Sequence, residues 1–430
     1  MSTKFSIITS AADGCGKPSS IRLMDSSHSS NMERKESLMF SKSVHLTLLA
    51  AAVMAAAGLV SGGIVAASES IAVGNASFED NSIASPGYGA ITDWASTDTS
   101  RSGVNDNTEP FALNTNIPDQ SQVGFIQDYF GATAVLSQNI TGLNVGQQYW
   151  FQVFYNARQT AGSPPAPYTP SMDVTYGSQT LVNVPAVSVA SPNYTFLNAT
   201  FTPTASSGTL SISNSAGTAG DSTLLIDGIS IIQRAPNQVV IANPSFEGSG
   251  QPSGNGYTYT NAIAGWTATN ETGISTGGSS PFANNGTIPD GSKVAYLQVN
   301  NAQVTTLSQM IGGLTVGQQY KLSFYYNARN YNSVTPLMQV SLGSTTFTPT
   351  GGLNVNPVGG SNPYNFADYS YTATGTSELL SFSNINTAAG SDTSLLLDDV
   401  SLQAVPEPAT LGLVAVCAIG LLLLKRRKAV

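Results

Sequence analysis

The sequence predicts an all-β protein: two tandem β-sandwich domains, an N-terminal signal peptide before them and one C-terminal transmembrane helix after them. Three observations predict it. Charge is scarce, with Asp, Glu, Lys and Arg at 10%, while Gly, Ser, Thr and Asn are abundant, which suits short strands joined by turns. The central part of the chain is duplicated, with a period of 171 residues over most of its length. Within each repeat, apolar residues alternate with a period of two, and no segment carries a clear 3.6-residue stripe.

The duplication is legible block by block. Asn75-Ala76-Ser77-Phe78-Glu79 returns as Asn243-Pro244-Ser245-Phe246-Glu247, and Trp94 returns as Trp266. Ile117-Pro118-Asp119 returns as Ile288-Pro289-Asp290, and Tyr155-Asn156-Ala157-Arg158 as Tyr326-Asn327-Ala328-Arg329. Asp221 and Leu224-Leu225-Ile226-Asp227 return as Asp392 and Leu395-Leu396-Leu397-Asp398. A period this long marks two whole domains, not a solenoid. The expected limits are 68–235 and 236–404, joined near Ala235-Pro236-Asn237 by a junction too short for a flexible tether.

The longest predicted strand alternates cleanly. Tyr149, Phe151, Val153, Tyr155 and Ala157 form one face, and Trp150, Gln152, Phe154, Asn156 and Arg158 the other. In the second copy the apolar face is Tyr320, Leu322, Phe324, Tyr326 and Ala328, opposite Lys321, Ser323, Tyr325, Asn327 and Arg329. One apolar face and one mixed face describe a half-buried strand of a sandwich, with Val-Gly-Gln-Gln as the turn leading into it. The repeated Trp94 and Trp266 are expected to plug the core.

The ends read differently from the body. Arg34, Lys35 and Lys42 precede the apolar stretch Leu46–Val60, and small residues follow up to Val65-Ala66-Ala67. That order predicts a secretory signal over 32–67, with cleavage expected after Ala67; the alternative is an uncleaved membrane anchor, for which the apolar stretch is short. Residues 1–31 are polar and aperiodic, so Met32 is the expected start. At the other end, Pro406-Glu407-Pro408 is followed by an apolar segment, 409–424, and by Lys425-Arg426-Arg427-Lys428. Sixteen residues of helix reach about 24 Å at 1.5 Å each, and basic side chains that snorkel extend this toward the thickness of a hydrocarbon core. The basic end at 425–428 is retained in the cytoplasm, so the body faces outward.

Charge and residue absences exclude several functions. Residues 68–404 hold 20 acidic and 6 basic residues, a net charge of −14. A body this acidic repels phosphate backbones, so nucleic acid is not an expected partner. The only cysteines, Cys15 and Cys417, and the only histidines, His28 and His45, lie outside it. Triads that use His or Cys, zinc sites built on these ligands and stabilising disulfides are thereby excluded from the body.

The C-terminal order of Pro-Glu-Pro, short span and basic tail resembles the PEP-CTERM sorting signal of Gram-negative bacteria over 405–430. The resemblance implies a membrane-anchored intermediate in the inner membrane. It also implies an exosortase-type processing enzyme that cuts near Pro406, Glu407 and Pro408. Delivery would then be to the cell surface, outer membrane or extracellular matrix, in a biofilm or exopolysaccharide setting.

The order Asn-x-Ser-Phe-Glu, Trp, Leu-x-Val-Gly-x-x-Tyr, aromatic strand, Leu-Leu-Leu-Asp-Asp-Val-Ser-Leu is similar to the galactose-binding-like jelly roll of many carbohydrate-binding modules. That family often places a structural calcium between its first and last strands. By position this implies Glu79 with Asp227, and Glu247 with Asp398; the alternative is that these acids cap turns and strand ends. Calcium takes six to eight oxygen ligands, which such carboxylates supply.

The polar face of the long strand is the candidate polysaccharide-binding surface, since sugars are held by flat aromatic faces and by bidentate Arg and Asn groups. It nominates Trp150, Asn156, Arg158, Tyr325, Asn327 and Arg329. The competing expectation is that loops cover this face and each Arg makes an internal salt bridge. Function reads as a non-catalytic surface or matrix protein that contacts exopolysaccharide. The alternatives are a structural spacer without a ligand and an enzyme acting on glycans through two carboxylates.

Overall fold

The computed structural model describes residues 69–406 apart from short stretches, of which 109–113, 159–168 and 251–255 are the longest. The segment 1–31, the signal peptide at 32–67, Glu407 and Pro408, the helix at 409–424 and the tail at 425–428 lie outside the described residues. Among the described residues there are twenty-five strands and no helix, as the period-two patterning predicts.

Each copy is a sandwich of two antiparallel sheets. The large sheet of the first copy runs Thr195–Phe201, Tyr149–Ala157, Asp221–Gln233, Val123–Tyr129, Ser102–Asn105, Gly87–Tyr88. Its facing sheet runs Ala95–Ser96, Val135–Thr141, Ser207–Ser213, Met172–Tyr176, Gln179–Val184. In the second copy, Tyr257–Tyr259, Glu271–Ser275, Val294–Val299, Thr393–Ala404, Gln319–Ala328 and Asn365–Thr372 form the sheet equivalent to the first. It faces a sheet centred on Thr305–Gly312, Ser377–Asn384 and Leu337–Leu342. In both copies the last long strand lies beside the long aromatic strand, so residues distant in sequence meet at the sheet centre.

The alternation decides what is buried. Tyr149, Phe151, Val153 and Ala157 enter the first core, and Tyr320, Leu322, Phe324 and Ala328 the second. The Val-Gly-Gln-Gln turns have Gly146 at φ +81° and Gly317 at φ +83°, a region where side chains other than Gly are strained. Each turn is tied to the strand it starts: the backbone N–H of Asn144 donates to the Tyr149 hydroxyl at 2.8 Å, and that of Thr315 to Tyr320 at 2.8 Å. The Asn-x-Ser-Phe-Glu segments are tight turns as well. Phe78 and Phe246, both fully buried, adopt φ +65° and +64°, held by their N–H bonds to the Asn75 and Asn243 carbonyls.

The last strand of each copy carries a bulge against the aromatic strand. Gly228 occupies it in the first copy at φ +56° and Asp399 in the second at φ +45°. Glycine is required at the first position, because a Cβ there would sit 3.0 Å from the Ala264 Cβ of the second copy.

That approach belongs to a seam where the two copies pack directly. Gln152 donates to the Ile241 carbonyl at 2.9 Å and accepts from the Asn243 N–H at 3.0 Å. Asp119 accepts the Gly250 N–H at 2.6 Å, and Asp290 accepts the Ser70 N–H at 3.0 Å. The Ile-Pro-Asp aspartate of each copy therefore holds backbone of the other.

Candidate functional site

The outer face of the large sheet has a buried part and an open rim. Loops cover its middle. Asn156 donates to the Asn193 carbonyl at 3.1 Å, and Asn327 to the carbonyls of Asn285 at 2.5 Å and Val358 at 3.2 Å. Beneath these loops lie small apolar clusters, Val123, Phe125 and Leu225 in one copy, and Phe282, Val294, Tyr296, Tyr364 and Leu396 in the other. Trp150 is also buried, under the Arg234 guanidinium at 5.8 Å. Trp150, Asn156, Asn327, Arg158 and Arg329 are thus all buried, and a ligand reaches them only by displacing loops. Tyr325 is half-buried and packs on Phe366 at 5.0 Å.

The two arginines form the foundation of the rim. Arg158 Nη2 lies 2.7 Å from Asp221 Oδ2, and Gln127 Nε2 donates to Asp221 Oδ1 at 2.9 Å. In the second copy Arg329 pairs with Asp392, and Gln298 Nε2 donates to Asp392 Oδ1 at 2.7 Å. All three members recur at the 171-residue spacing. The aspartates anchor the start of the last strand, so a buried cation, a partly exposed anion and a bonded amide fix the sheet end where the chain turns outward.

Exposed aromatic side chains stand around this foundation. In the first copy Tyr129, Phe130, Gly131 and Ala132 make a tight hairpin, with reciprocal bonds between Tyr129 and Ala132 at 2.9 and 3.1 Å. Phe130 and Gly131 have φ +52° and +82°, the backbone that a two-residue hairpin of right-handed twist demands and that Asn-Gly ordinarily supplies. Phe130 is therefore a strained choice, and it is 66% exposed. The Asp128 carboxylate accepts the Gly131 N–H at 2.8 Å and holds the turn. Phe130 meets Tyr129 edge-on at 4.7 Å, and the Arg101 guanidinium lies 4.8 Å from the Tyr129 ring centroid. Tyr88, also exposed, stands edge-on to Phe125 at 5.0 Å.

The second copy builds its rim from other aromatics. Tyr259 is 59% exposed, edge-on to Tyr257 at 5.5 Å and to Tyr296 at 5.9 Å. Tyr331 lies against Arg329, with 4.8 Å from guanidinium to ring centroid. A depression of about 470 Å³ is lined by Tyr259, Asn270, Glu271, Thr272 and Asn300. Burial raises the Glu271 carboxyl above its ordinary pKa.

The sequence pointed to Arg158 and Arg329 but not to Tyr129, Phe130, Tyr259 or Tyr331. Phe130 and Tyr331 lie outside strands, Tyr259 lies in a three-residue edge strand and Tyr129 ends an inner strand, so no periodicity marks them as a group. The signal available was an aromatic beside Gly131 at a position where a tight turn favours Asn.

The residues implied for calcium fare differently in the two copies. Glu79 accepts the N–H groups of Ser121 at 2.8 Å and Gln122 at 2.6 Å, and burial pushes its carboxyl up to about 7. Asp227 accepts the Asp119 N–H at 2.9 Å, and burial together with the neighbouring Asp119 raises it well above the usual carboxylate range. Near Glu79, Asp119 Oδ1 and Gln122 Oε1 are buried without a hydrogen-bond donor. These oxygens are of the hard type that calcium takes, although Glu79 and Asp227 also cap turns here and the Lys293 ammonium of the second copy acts on Asp119.

The second copy does not fit one. Lys293 replaces Gln122, and its buried ammonium donates to the carbonyls of Glu247 at 3.1 Å and of Ser249. An internal cation already sits at the turn, and a metal ion there would be repelled. Glu247 accepts N–H groups from Ser292 and Lys293 at 2.6 Å each, and Asp398 accepts the Asp290 N–H at 2.9 Å, so both carboxylates act as turn caps. Among the described residues, no group of three or more His, Cys, Asp or Glu side chains is placed to hold a metal ion.

Comparison with known proteins bears on both the body and the tail. No curated protein sequence matches the chain. Among solved structures, the N-terminal CBM22-1–CBM22-2 tandem domain of Paenibacillus barcinonensis Xyn10C is similar at 14% identity and TM-score 0.27, covering 78% of this chain and 97% of that one. The tandem CBM51 modules of Sp3GH98 from Streptococcus pneumoniae match at 12% identity and TM-score 0.23, covering 73% and 100%. A family 35 carbohydrate binding module from Clostridium thermocellum matches at 16% identity and TM-score 0.23, covering 32% and 90%. The HpiC1 cyclase family profile matches residues 237–356, within the second copy. Residues 404–428 match the PEP-CTERM protein-sorting motif, and the chain therefore carries that motif at its C-terminal end.

Proposed function

We propose that this chain is a non-catalytic exopolysaccharide-binding protein of the cell surface or extracellular matrix, exported and then processed at its PEP-CTERM motif by an exosortase-type enzyme. The two modules, 68–235 and 236–404, each bind glycan at the rim of the large sheet. The carrying observation is Phe130, an exposed aromatic in left-handed backbone at a hairpin tip, above the Arg158–Asp221–Gln127 foundation that the second copy repeats. Sugar rings present apolar C–H faces that stack on aromatic planes, while their hydroxyls take bonds from adjacent polar groups. Phe130 meets Tyr129 along one edge and leaves 66% of its surface open, so we assign contact with a ligand as the reason for a strained aromatic at this turn.

Affinity electrophoresis of the full chain in detergent, through gels containing the host's own exopolysaccharide, tests this reading. Retardation is expected, and Phe130→Ala together with Tyr259→Ala should remove it while leaving the melting temperature unchanged. Wild-type migration unaffected by the host polysaccharide and by a broad glycan panel would leave the structural spacer as the better account. Donor chemistry also supports a bound calcium in the first copy, held by Glu79 and Asp227.

A further inference from the structure

The two rims share one foundation but differ in charge at one matched position. Gly103 pairs with Phe125 across the sheet, and Gly273 pairs with Tyr296 in the second copy, which aligns Arg101 with Glu271. Both residues immediately precede or begin the strand that borders the rim. Arg101 reaches the foundation through Gln127, with Nη1 to Oε1 at 3.4 Å, and lies across the Tyr129 ring. Among the described residues no carboxylate lies within ion-pair distance of Arg101, whereas Arg158, Lys321 and Arg329 are each paired; Arg234, also without a carboxylate, bonds Gln148 and lies over Trp150 away from the rim aromatics. The nearby Asp98 is occupied with the N–H and hydroxyl of Ser100.

We infer that the two copies recognise glycans of different charge. The first copy takes anionic chains, whose carboxylates pair with Arg101 while the ring stacks at Tyr129 and Phe130. The second copy excludes them through Glu271 and takes neutral chains. An arginine without a carboxylate partner that lies beside exposed aromatics, in a body of net charge −14, is a place where an anionic ligand finds a matching charge. Guanidinium–carboxylate contacts are bidentate and charge-assisted, so they discriminate an acid from its ester. One chain would then bridge two chemically distinct polysaccharides.

The inference rests on the rim being the glycan site, and the experiment separates the two. Binding of the full chain in detergent to polygalacturonate and to its fully methyl-esterified form is measured at low salt. The acid is expected to bind about tenfold tighter than the ester, which is one charge-assisted contact's worth of discrimination. Arg101→Glu should erase that preference while ester binding persists, and Glu271→Arg should add a second acid-binding site. An acid-to-ester ratio unchanged by both substitutions overturns the charge assignment but not the rim. Ester and acid binding that both survive Phe130→Ala with Tyr259→Ala, or no binding of either polymer by the wild type, overturns the rim and the charge assignment together.

Discussion

Trp266 Nε1 donates to the carbonyl oxygen of Asn243 at 3.1 Å, and Trp94 makes the same bond to Asn75 at 3.3 Å in the first copy. Two residues about twenty positions apart thereby close the entry turn of each sandwich. The bond explains why Asn, Phe and Trp recur together: Asn bends the chain, Phe fills the core and Trp seals the bend.

Trp266→Phe should cost about 1 kcal/mol, because the Asn243 carbonyl loses the indole donor and keeps the Phe246 N–H. Trp266→Ala should cost about 3–5 kcal/mol, since a cavity is added. Urea unfolding followed by circular dichroism measures both. Equal losses for Phe and Ala would show that the hydrogen bond contributes little.

Stability should depend on pH through Glu79. Its folded pKa of about 7 stands above the ordinary 4.5, so the folded state holds the proton more tightly. The resulting contribution is fully present below about pH 4.5 and is lost as pH rises through 7. Glu79→Gln keeps the acceptor for Ser121 and Gln122 but does not titrate. In metal-free buffer, the variant should lose less stability than wild type between pH 5 and 8, by up to about 3 kcal/mol. Parallel melting curves for the two proteins across that range would contradict this assignment.

Cation dependence should differ between the copies. Hydrogen exchange read by mass spectrometry reports each turn separately. Chelation by EDTA should speed exchange around 77–81 and leave 245–249 unchanged, because Lys293 holds the second turn from within. Lys293→Met should speed exchange at 245–249 whether or not calcium is present. Loss of protection in both turns of the wild type on chelation would show that the ammonium does not substitute for a metal.

The seam should loosen when Gln152 is truncated. Gln152→Ala removes two bonds to the second copy, at Ile241 and Asn243, and leaves the Asn243 N–H buried without its acceptor. A loss of about 2 kcal/mol is expected, with faster proteolysis near 235–240. Gly228→Val should act in the same direction, through left-handed backbone and contact with Ala264. Cleavage rates at wild-type level for both variants would show that the seam does not depend on these contacts.

Local pattern in the sequence was enough for the strands, the repeat and the tail. Period-two alternation assigned Tyr149, Phe151 and Val153 to the core, because a strand sends successive side chains to opposite faces. The repeat spacing showed two equivalent units, and three features in fixed order at the C-terminus identified the sorting motif. Pattern could not say what covers the other face of a strand. Only the tertiary structure decided that Asn156 and Asn327 pin loops over the sheet, that Arg158 and Arg329 turn inward to aspartates, and that Lys293 fills the turn where a metal was expected. Those outcomes depend on groups 31 to 63 residues apart in the chain meeting in three dimensions. Burial, not residue type, then separates Arg158 and Arg329, which brace the rim, from Arg101, which stays partly open to solvent.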